Sequence, residues 1–297
     1  MNFKNVIALF LLVSCSQIKM NTSTEKEKAP VKPQPLIDEV VNLKLLNGKV
    51  TYSKFTFRKP DGTYVLNCSD KRNRNLLVRD GFGQIYIGAN YFAPNTNLNC
   101  SFEGQKIFNV NIGEFKYPFE TLNVAKGKVD YSPAAIKRII KEKEIKKKIY
   151  LNSADEFLFE KPFIKPLNSF VTSHYGKRRI FNNKKKSQHL GNDLRARTGV
   201  KIPAANRGKV VYVGNLFFSG NVVVIDHGMD IFTMYGHLSK ILTTKGSIVN
   251  QGDIIGLAGA TGRVSGPHLH WGVKVNGTWV DGFNLVEVSK EQFNSAK

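Results

Sequence analysis

The stretch Gly266-Pro267-His268-Leu269-His270-Trp271 decides the reading of this 297-residue chain. Side chains of an extended segment alternate with period two, so His268 and His270 share one face while Leu269 and Trp271 turn the other way, toward packing. Two imidazoles on one face either bind one metal together or divide the work, one binding while its neighbour handles protons. Five of the six histidines fall between His189 and His270. A single histidine is more often a surface or satisfied core residue than a ligand, but such crowding in a strand-rich segment needs a reason.

Two further groups supply one: His189-Leu190-Gly191-Asn192-Asp193 and Tyr235-Gly236-His237-Leu238. Adding His189 and Asp193 gives the mixed nitrogen and oxygen set that zinc takes. Two histidines, one carboxylate and one open position for water form a known catalytic zinc arrangement, in which the metal lowers the pKa of that water to ~7.

Around these groups the pattern is that of an antiparallel β domain. Strand-like runs occupy Lys209–Val213, Asn221–Ile225 and Phe232–Tyr235. Ser219-Gly220 and Asn276-Gly277 are hairpin signals, the second joining Trp271–Val275 to Thr278–Val280. Upstream, from Ile37 to Val129, short β-rich runs such as Tyr64–Leu66, Leu76–Val78, Gln84–Ile87 and Phe108–Ile112 alternate with the turn signals Pro60-Asp61-Gly62 and Asp80-Gly81, which suggests a small β-sandwich-like domain. It contains no histidine, so an accessory, substrate-presenting or occluding role is expected of it. Ser132-Pro133 then opens a charged stretch whose Ile136, Ile139, Ile140 and Ile145 recur at helical spacing, predicting a connecting helix with serine as its cap.

The fold class expected is therefore mainly β: a C-terminal antiparallel sheet domain with an open cleft, preceded by the β-sandwich-like domain and the helix. The boundaries expected are a signal peptide over 1–14, a flexible tether over 15–36, the accessory β domain over 37–130, the helical linker over 131–164 and the metal domain over 165–297.

The chain carries 44 Lys and Arg against 23 Asp and Glu, a formal charge of +21, which favours an anionic partner without naming it. The compartment narrows the choice. Lys4 precedes an apolar run from Val6 to Val13, too short to span a bilayer but matched to the apolar region of a secretory signal. The run ends at Cys15, which resembles the bacterial lipobox, whose cysteine becomes a lipidated N-terminus. An exported lipoprotein facing the periplasm is expected, with Ser16 favouring the outer membrane. The polar, proline-rich stretch that follows can bury nothing and reads as a leash. In an oxidising compartment Cys68 and Cys100 are expected to pair as a disulfide. Export also sets nucleic acid aside as a partner, although Arg178, Arg179 and Lys184-Lys185-Lys186 would suit phosphates.

Taken in order, His-x-x-x-Asp, Tyr-x-His-Leu and Gly-Pro-His-Leu-His-Trp resemble the lysostaphin/LytM-type zinc endopeptidases. The resemblance extends to Ser173-His174-Tyr175-Gly176-Lys177-Arg178, to Ile225-Asp226-His227-Gly228, and to the glycine turns at Gly246, Gly252 and Thr261-Gly262, so it runs from Lys165 to the end of the chain. It implies zinc held by His189, Asp193 and His270, His268 as the general base and His237 as oxyanion stabiliser or proton partner. His227 is implied to be structural. His174 stands where the family commonly has glycine, and Asn192 where it has an apolar residue. Tyr212, Phe217, Phe218 and Tyr235 either line a groove or belong to the core. The substrate implied is peptidoglycan, cleaved at its peptide cross-links, with the D-alanyl-diaminopimelate type favoured by lipidation and a disulfide. The alternative is a non-catalytic relative that regulates cell-wall amidases, and such relatives lack one or more of the five residues that this chain retains.

Overall fold

The computed structural model describes residues 34–122, 131–181 and 185–294, so the expected signal peptide, Cys15 and nearly all of the tether lie outside the described residues. The first strands are β1 (Val41–Leu46), β2 (Val50–Thr56), β3 (Gly62–Cys68), β4 (Asn73–Arg79), β5 (Phe82–Gly88), β6 (Thr96–Phe102) and β7 (Gln105–Gly113). They form one sheet in the order β1-β7-β6-β3-β4-β5-β2. Its two edge strands, β1 and β2, are consecutive in the chain and joined only through Asn47, Gly48 and Lys49. Opposite edges can be that close only if the sheet curls on itself, so the expected sandwich is realised as one near-barrel sheet. Phe57, Leu66, Leu76, Val78, Ile85, Ile87, Phe108 and Val110 fill its interior. Cys68 and Cys100 face one another in the β3–β6 register and are joined as a disulfide.

A short strand β8 (Phe119–Leu122) follows, and then helix α1 (Pro133–Ile149), whose Ser132 hydroxyl accepts from the Ala135 amide as an N-cap. Among the described residues no helix is long and apolar enough to cross a membrane. Beyond it come β9 (Val171–Ser173), β10 (Arg178–Phe181), β11 (Lys185–Gln188), β12 (Asn192–Arg195), β13 (Lys201–Pro203), β14 (Gly208–Leu216), β15 (Gly220–Asp226), β16 (Ile231–Leu238), β17 (Lys240–Ile241), β18 (Ile248–Val249), β19 (Ile254–Leu257), β20 (His268–Val275) and β21 (Thr278–Val280), closed by helix α2 (Gly282–Asn294).

The main C-terminal sheet runs β18-β14-β15-β16-β20-β12-β9, with β21 pairing the second half of β20. Every residue of β16 is buried, because both faces of the sheet are covered. Val223, Ile225, Ile231, Tyr235, Leu269, Trp271 and Val273 point into the larger core. Val222, Val224, Phe232 and Met234, the alternate residues, pack on the other face under Ile149 and Tyr150 from the end of α1.

The two sheets share that larger core. Val50 and Tyr86 of the N-terminal sheet lie in it beside Phe159, Phe163, Val280 and Leu285. Polar contacts lock the joint: the Val50 amide donates to Asn284 Oδ1 at 2.7 Å, Lys49 pairs with Asp281 at 2.8 Å, and the Asp281 amide donates to the Gly48 carbonyl at 2.8 Å. The Tyr86 ring meets Phe157 and Phe159 edge-on. Truncating it opens a cavity at the joint, and Tyr86→Ala is expected to cost about 3–5 kcal/mol. Urea denaturation followed by fluorescence and by circular dichroism should give one shared transition shifted to lower denaturant; two separate transitions, only one of them shifted, would contradict the common core.

Candidate metal centre

The antiparallel register of β12 with β20 sets Asp193 directly opposite His270. His189 follows β11 immediately and lies four residues before Asp193. Its Nδ1 is 3.0 Å from the His174 carbonyl and 3.2 Å from Ser173 Oγ. A carbonyl only accepts, so the proton sits on Nδ1 and leaves Nε2 with a bare lone pair. That Nε2 lies 2.9 Å from Asp193 Oδ1 and 3.1 Å from His270 Nδ1, and His270 Nδ1 is 2.8 Å from the same carboxylate oxygen. The far side of the His270 ring rests on Gly191, where an added Cβ would fall 2.5 Å from Cε1, so only glycine fits there.

These three atoms converge from buried or half-buried side chains. A bare imidazole nitrogen facing a carboxylate oxygen at 2.9 Å is repulsive unless positive charge lies between them, and one cation relieves it for both imidazoles at once. Two imidazole nitrogens and one carboxylate oxygen are also the donor set of catalytic zinc sites. The residues therefore fit zinc. Burial lowers the pKa of His189 and favours its neutral, ligating form.

Two more imidazoles border the triangle. His268 Nδ1 lies 2.9 Å from the Gly266 carbonyl, which leaves Nε2 as its lone-pair atom, 3.6 Å from Asp193 Oδ1. His237, at the end of β16 with φ of 63°, has Nδ1 2.8 Å from the Thr261 carbonyl. Its ring centre is 4.8 Å from that of His268 and 5.8 Å from that of His270. Burial, reinforced by the neighbouring His270, pulls the His237 pKa down to about 3 and keeps it neutral at ordinary pH.

The profile of "Peptidase family M23" matches residues 187–282, which contain all five of these side chains. Residues 187–282 belong to peptidase family M23. The chain is 43% identical over 108 residues to the peptidoglycan DD-endopeptidase ShyA of Vibrio cholerae, a match over 36% of this chain and 25% of that protein. It is 38% identical over 89 residues to the DD-carboxypeptidase/endopeptidase Mpg of Neisseria meningitidis, over 30% of this chain and 20% of the other. The chain thus spans about a quarter or less of the length of these curated relatives. Among solved structures, a putative peptidase M23 from Pseudomonas aeruginosa superposes with a TM-score of 0.61 at 23% identity, over 85% of this chain and 97% of that one. This likeness shows that the fold of most of the chain, not of the M23 segment alone, recurs.

The other residues singled out by sequence take distinct places. His174 lends the M23 site its backbone carbonyl; its exposed ring stands edge-on to Phe283, 6.3 Å between centres. Asn192 is fully buried and faces away from the triangle, accepting from the Tyr175 amide at 3.0 Å and donating to Asp281 at 3.1 Å. A polar residue is stable there because both ends of its amide are satisfied. Tyr235 belongs to the core, its oxygen accepting from the Ala205 amide at 2.7 Å. Phe217 and Phe218 pack on Tyr131, and Tyr212 packs on the smaller core. Lys184 lies outside the described residues.

Several contributors are missing from the sequence reading: the carbonyls of His174, Thr261 and Gly266 that fix the imidazole tautomers, and Arg179, whose Nη2 lies 2.7 Å from Ser173 Oγ and 3.6 Å from Asp193 Oδ2. Backbone carbonyls carry no residue signature. In the sequence Arg179 reads only as part of a basic cluster suited to phosphates.

His227 is structural, as the resemblance implied for it. Its Nδ1 donates to the Arg207 carbonyl at 2.8 Å and its Nε2 lies 2.7 Å from the Thr233 hydroxyl. Complete burial lowers its pKa to about 4. The unfolded chain therefore takes up this proton near pH 6.5 and the folded chain only near 4, so the stability attached to neutral His227 is full above about 6.5 and drains away as pH falls toward 4. The amount is on the order of 3 kcal/mol. His227→Gln, which cannot titrate, should be less stable than the parent near pH 7.5, with the gap narrowing by about 2–3 kcal/mol at pH 4.5. Urea midpoints of the metal-free proteins at the two pH values measure this; a gap that stays constant would remove His227 from the acid response.

Proposed function

We propose that this protein is an exported zinc metalloendopeptidase that hydrolyses the peptide cross-links of peptidoglycan, at bonds of the D-alanyl-diaminopimelate type. The observation that carries the reading is the convergence of His189 Nε2, Asp193 Oδ1 and His270 Nδ1 with the unprotonated nitrogens of His268 and His237 beside them. The DD-endopeptidase name borne by the Vibrio cholerae relative supports the bond type. The Cys68–Cys100 disulfide supports an oxidising compartment, and the Cys15 lipobox supports a membrane anchor.

A zinc ion held by His189, Asp193 and His270 supplies Lewis acidity toward a carbonyl oxygen and makes water acidic enough to lose a proton near neutral pH. His268 Nε2 takes that proton as the water oxygen adds to the scissile carbonyl carbon. The Gly266 carbonyl holds the ring at Nδ1 so that Nε2 remains the basic atom. Neutral His237, its Nδ1 proton held by the Thr261 carbonyl, presents a bare Nε2 beside His268 as a second acceptor that shares the proton work. His268 then returns the proton to the leaving nitrogen, the C–N bond breaks, and a carboxylate and an amine separate. The regulator alternative requires one of these side chains to be absent, and all five are present and assembled.

Purified protein should convert the cross-linked stem-peptide dimers of sacculi into monomers that stay on their glycan strands, with a newly freed amino group for each bond cut, as mass spectrometry after muramidase digestion would report. Chelation should stop it and zinc restore it. His268→Ala should retain about one zinc per chain while losing on the order of 10²–10⁴ in kcat. His189→Ala should lose the metal. If wild type and His268→Ala release the same products at the same rate, the hydrolytic reading fails.

A further inference from the structure

Arg179 has its Nη2 turned toward the metal ligands, and its other side is held from outside the M23 segment. Strand β8 runs parallel to β10, and their register pairs Glu120 with Arg179. Glu120 Oε1 accepts from Arg179 Nε at 2.7 Å, and its Oε2 accepts from Lys177 Nζ at 3.1 Å. Lys177 and Arg179 are two residues apart and so stand on one face of an extended segment, where their like charges repel unless an anion lies between them. Glu120 is that anion. With Nε engaged, Arg179 can reach Ser173 Oγ and the outer oxygen of Asp193 with Nη2. Ser173 Oγ is in turn 3.2 Å from His189 Nδ1. One arginine thereby touches the supports of two metal ligands.

The two oxygens of Asp193 are divided by this arrangement. Oδ1 faces both imidazoles, while Oδ2 faces the guanidinium. A carboxylate whose second oxygen is held cannot rotate about its last bond, so Oδ1 stays in place and the ligand triangle keeps its shape. Groups that orient ligands in this manner typically govern metal affinity by ten- to a hundredfold.

The geometry points to Glu120 as a positioning residue of the zinc site: strand β8, which leads out of the N-terminal sheet, supplies the carboxylate that holds Arg179 against Asp193 and Ser173. Zinc affinity then depends on β8 being docked on β10. The inference rests on the zinc reading of His189, Asp193 and His270, and goes beyond it by making a residue outside the M23 segment part of the metal site's support.

The test is a zinc titration of the metal-free full chain against a chromogenic chelator, with the visible spectrum of the cobalt-substituted protein as a second readout. Glu120→Gln, which keeps the shape and removes the charge, should weaken zinc about tenfold and alter the cobalt bands, with the thermal midpoint of the metal-free protein shifting little. Glu120→Asp should restore part of the loss. Arg179→Gln, which leaves β8 untouched, should weaken zinc at least as much, and the double variant should be no worse than Arg179→Gln alone, because the two residues act in series. Glu120→Gln binding zinc within twofold of wild type, or losses that add independently, would overturn the relay. Wild type that takes up no zinc would instead overturn the site reading on which the relay is built.

Discussion

A carboxylate oxygen and two imidazole nitrogens held within about 3 Å of one another, with no proton of their own to share between His189 and Asp193, is an arrangement that a polypeptide avoids unless something compels it. The His174 carbonyl compels it here, and two other carbonyls set the imidazoles beside the triangle. His174, Gly266 and Thr261 each face an Nδ1, fixing the tautomers of His189, His268 and His237 and leaving their other nitrogens bare. The folded chain thus carries electrostatic strain that metal binding offsets, which couples zinc uptake to stability.

Holding such a site to a fraction of an ångström requires ligands on stiff elements. Asp193 and His270 are neighbours across two strands, and β20 is bonded along its length to β16 on one side and to β12 and β21 on the other. The N-terminal sheet adds a second layer of support. Tyr117 packs so closely on Gly176 that an added Cβ would fall 2.0 Å from its ring, and Tyr91 donates to the Gly176 carbonyl at 2.9 Å. Gly176 in turn donates to the His189 carbonyl at 2.6 Å. From the other direction, Lys49 holds Asp281, Asp281 holds Asn192, and Asn192 holds the Tyr175 amide next to the carbonyl that orients His189. Two separate chains of contacts thus run from a histidine-free sheet to one imidazole.

This division explains what the sequence could disclose. The period-two pair His268 and His270 and the four-residue spacing of His189 and Asp193 are local patterns, and local patterns are legible. So were the Ser132 cap, the Asn276-Gly277 hairpin and the strand runs of the N-terminal sheet. Closure was not legible, because it depends on a parallel β1–β7 pair whose partners lie more than sixty residues apart, as Val41 and Phe108 do. The Glu120–Arg179 pair escapes for the same reason. In sequence Glu120 is one acid in a basic chain, and only the β8–β10 register gives it a partner. Asn192 looked like a departure from the family pattern; the compensating residue, Asp281, is remote in sequence and adjacent in space.

The chain's charge of +21 bears on the cleft less directly than its size suggests. Exposed charges more than about 8 Å apart are largely screened at physiological ionic strength, so the net value acts on encounter with an anionic polymer rather than on the metal site. Within the site, short contacts decide. Lys177 and Arg179 would present two uncompensated cations next to a zinc ligand set carrying a single carboxylate, an arrangement hostile to a dication. Glu120 neutralises one of them and divides its oxygens between the two, so the immediate surroundings of Asp193 are closer to neutral than the protein as a whole. A strongly basic surface and a cation-binding centre can then coexist in one chain, because the anion that reconciles them is brought in by the β8–β10 pairing.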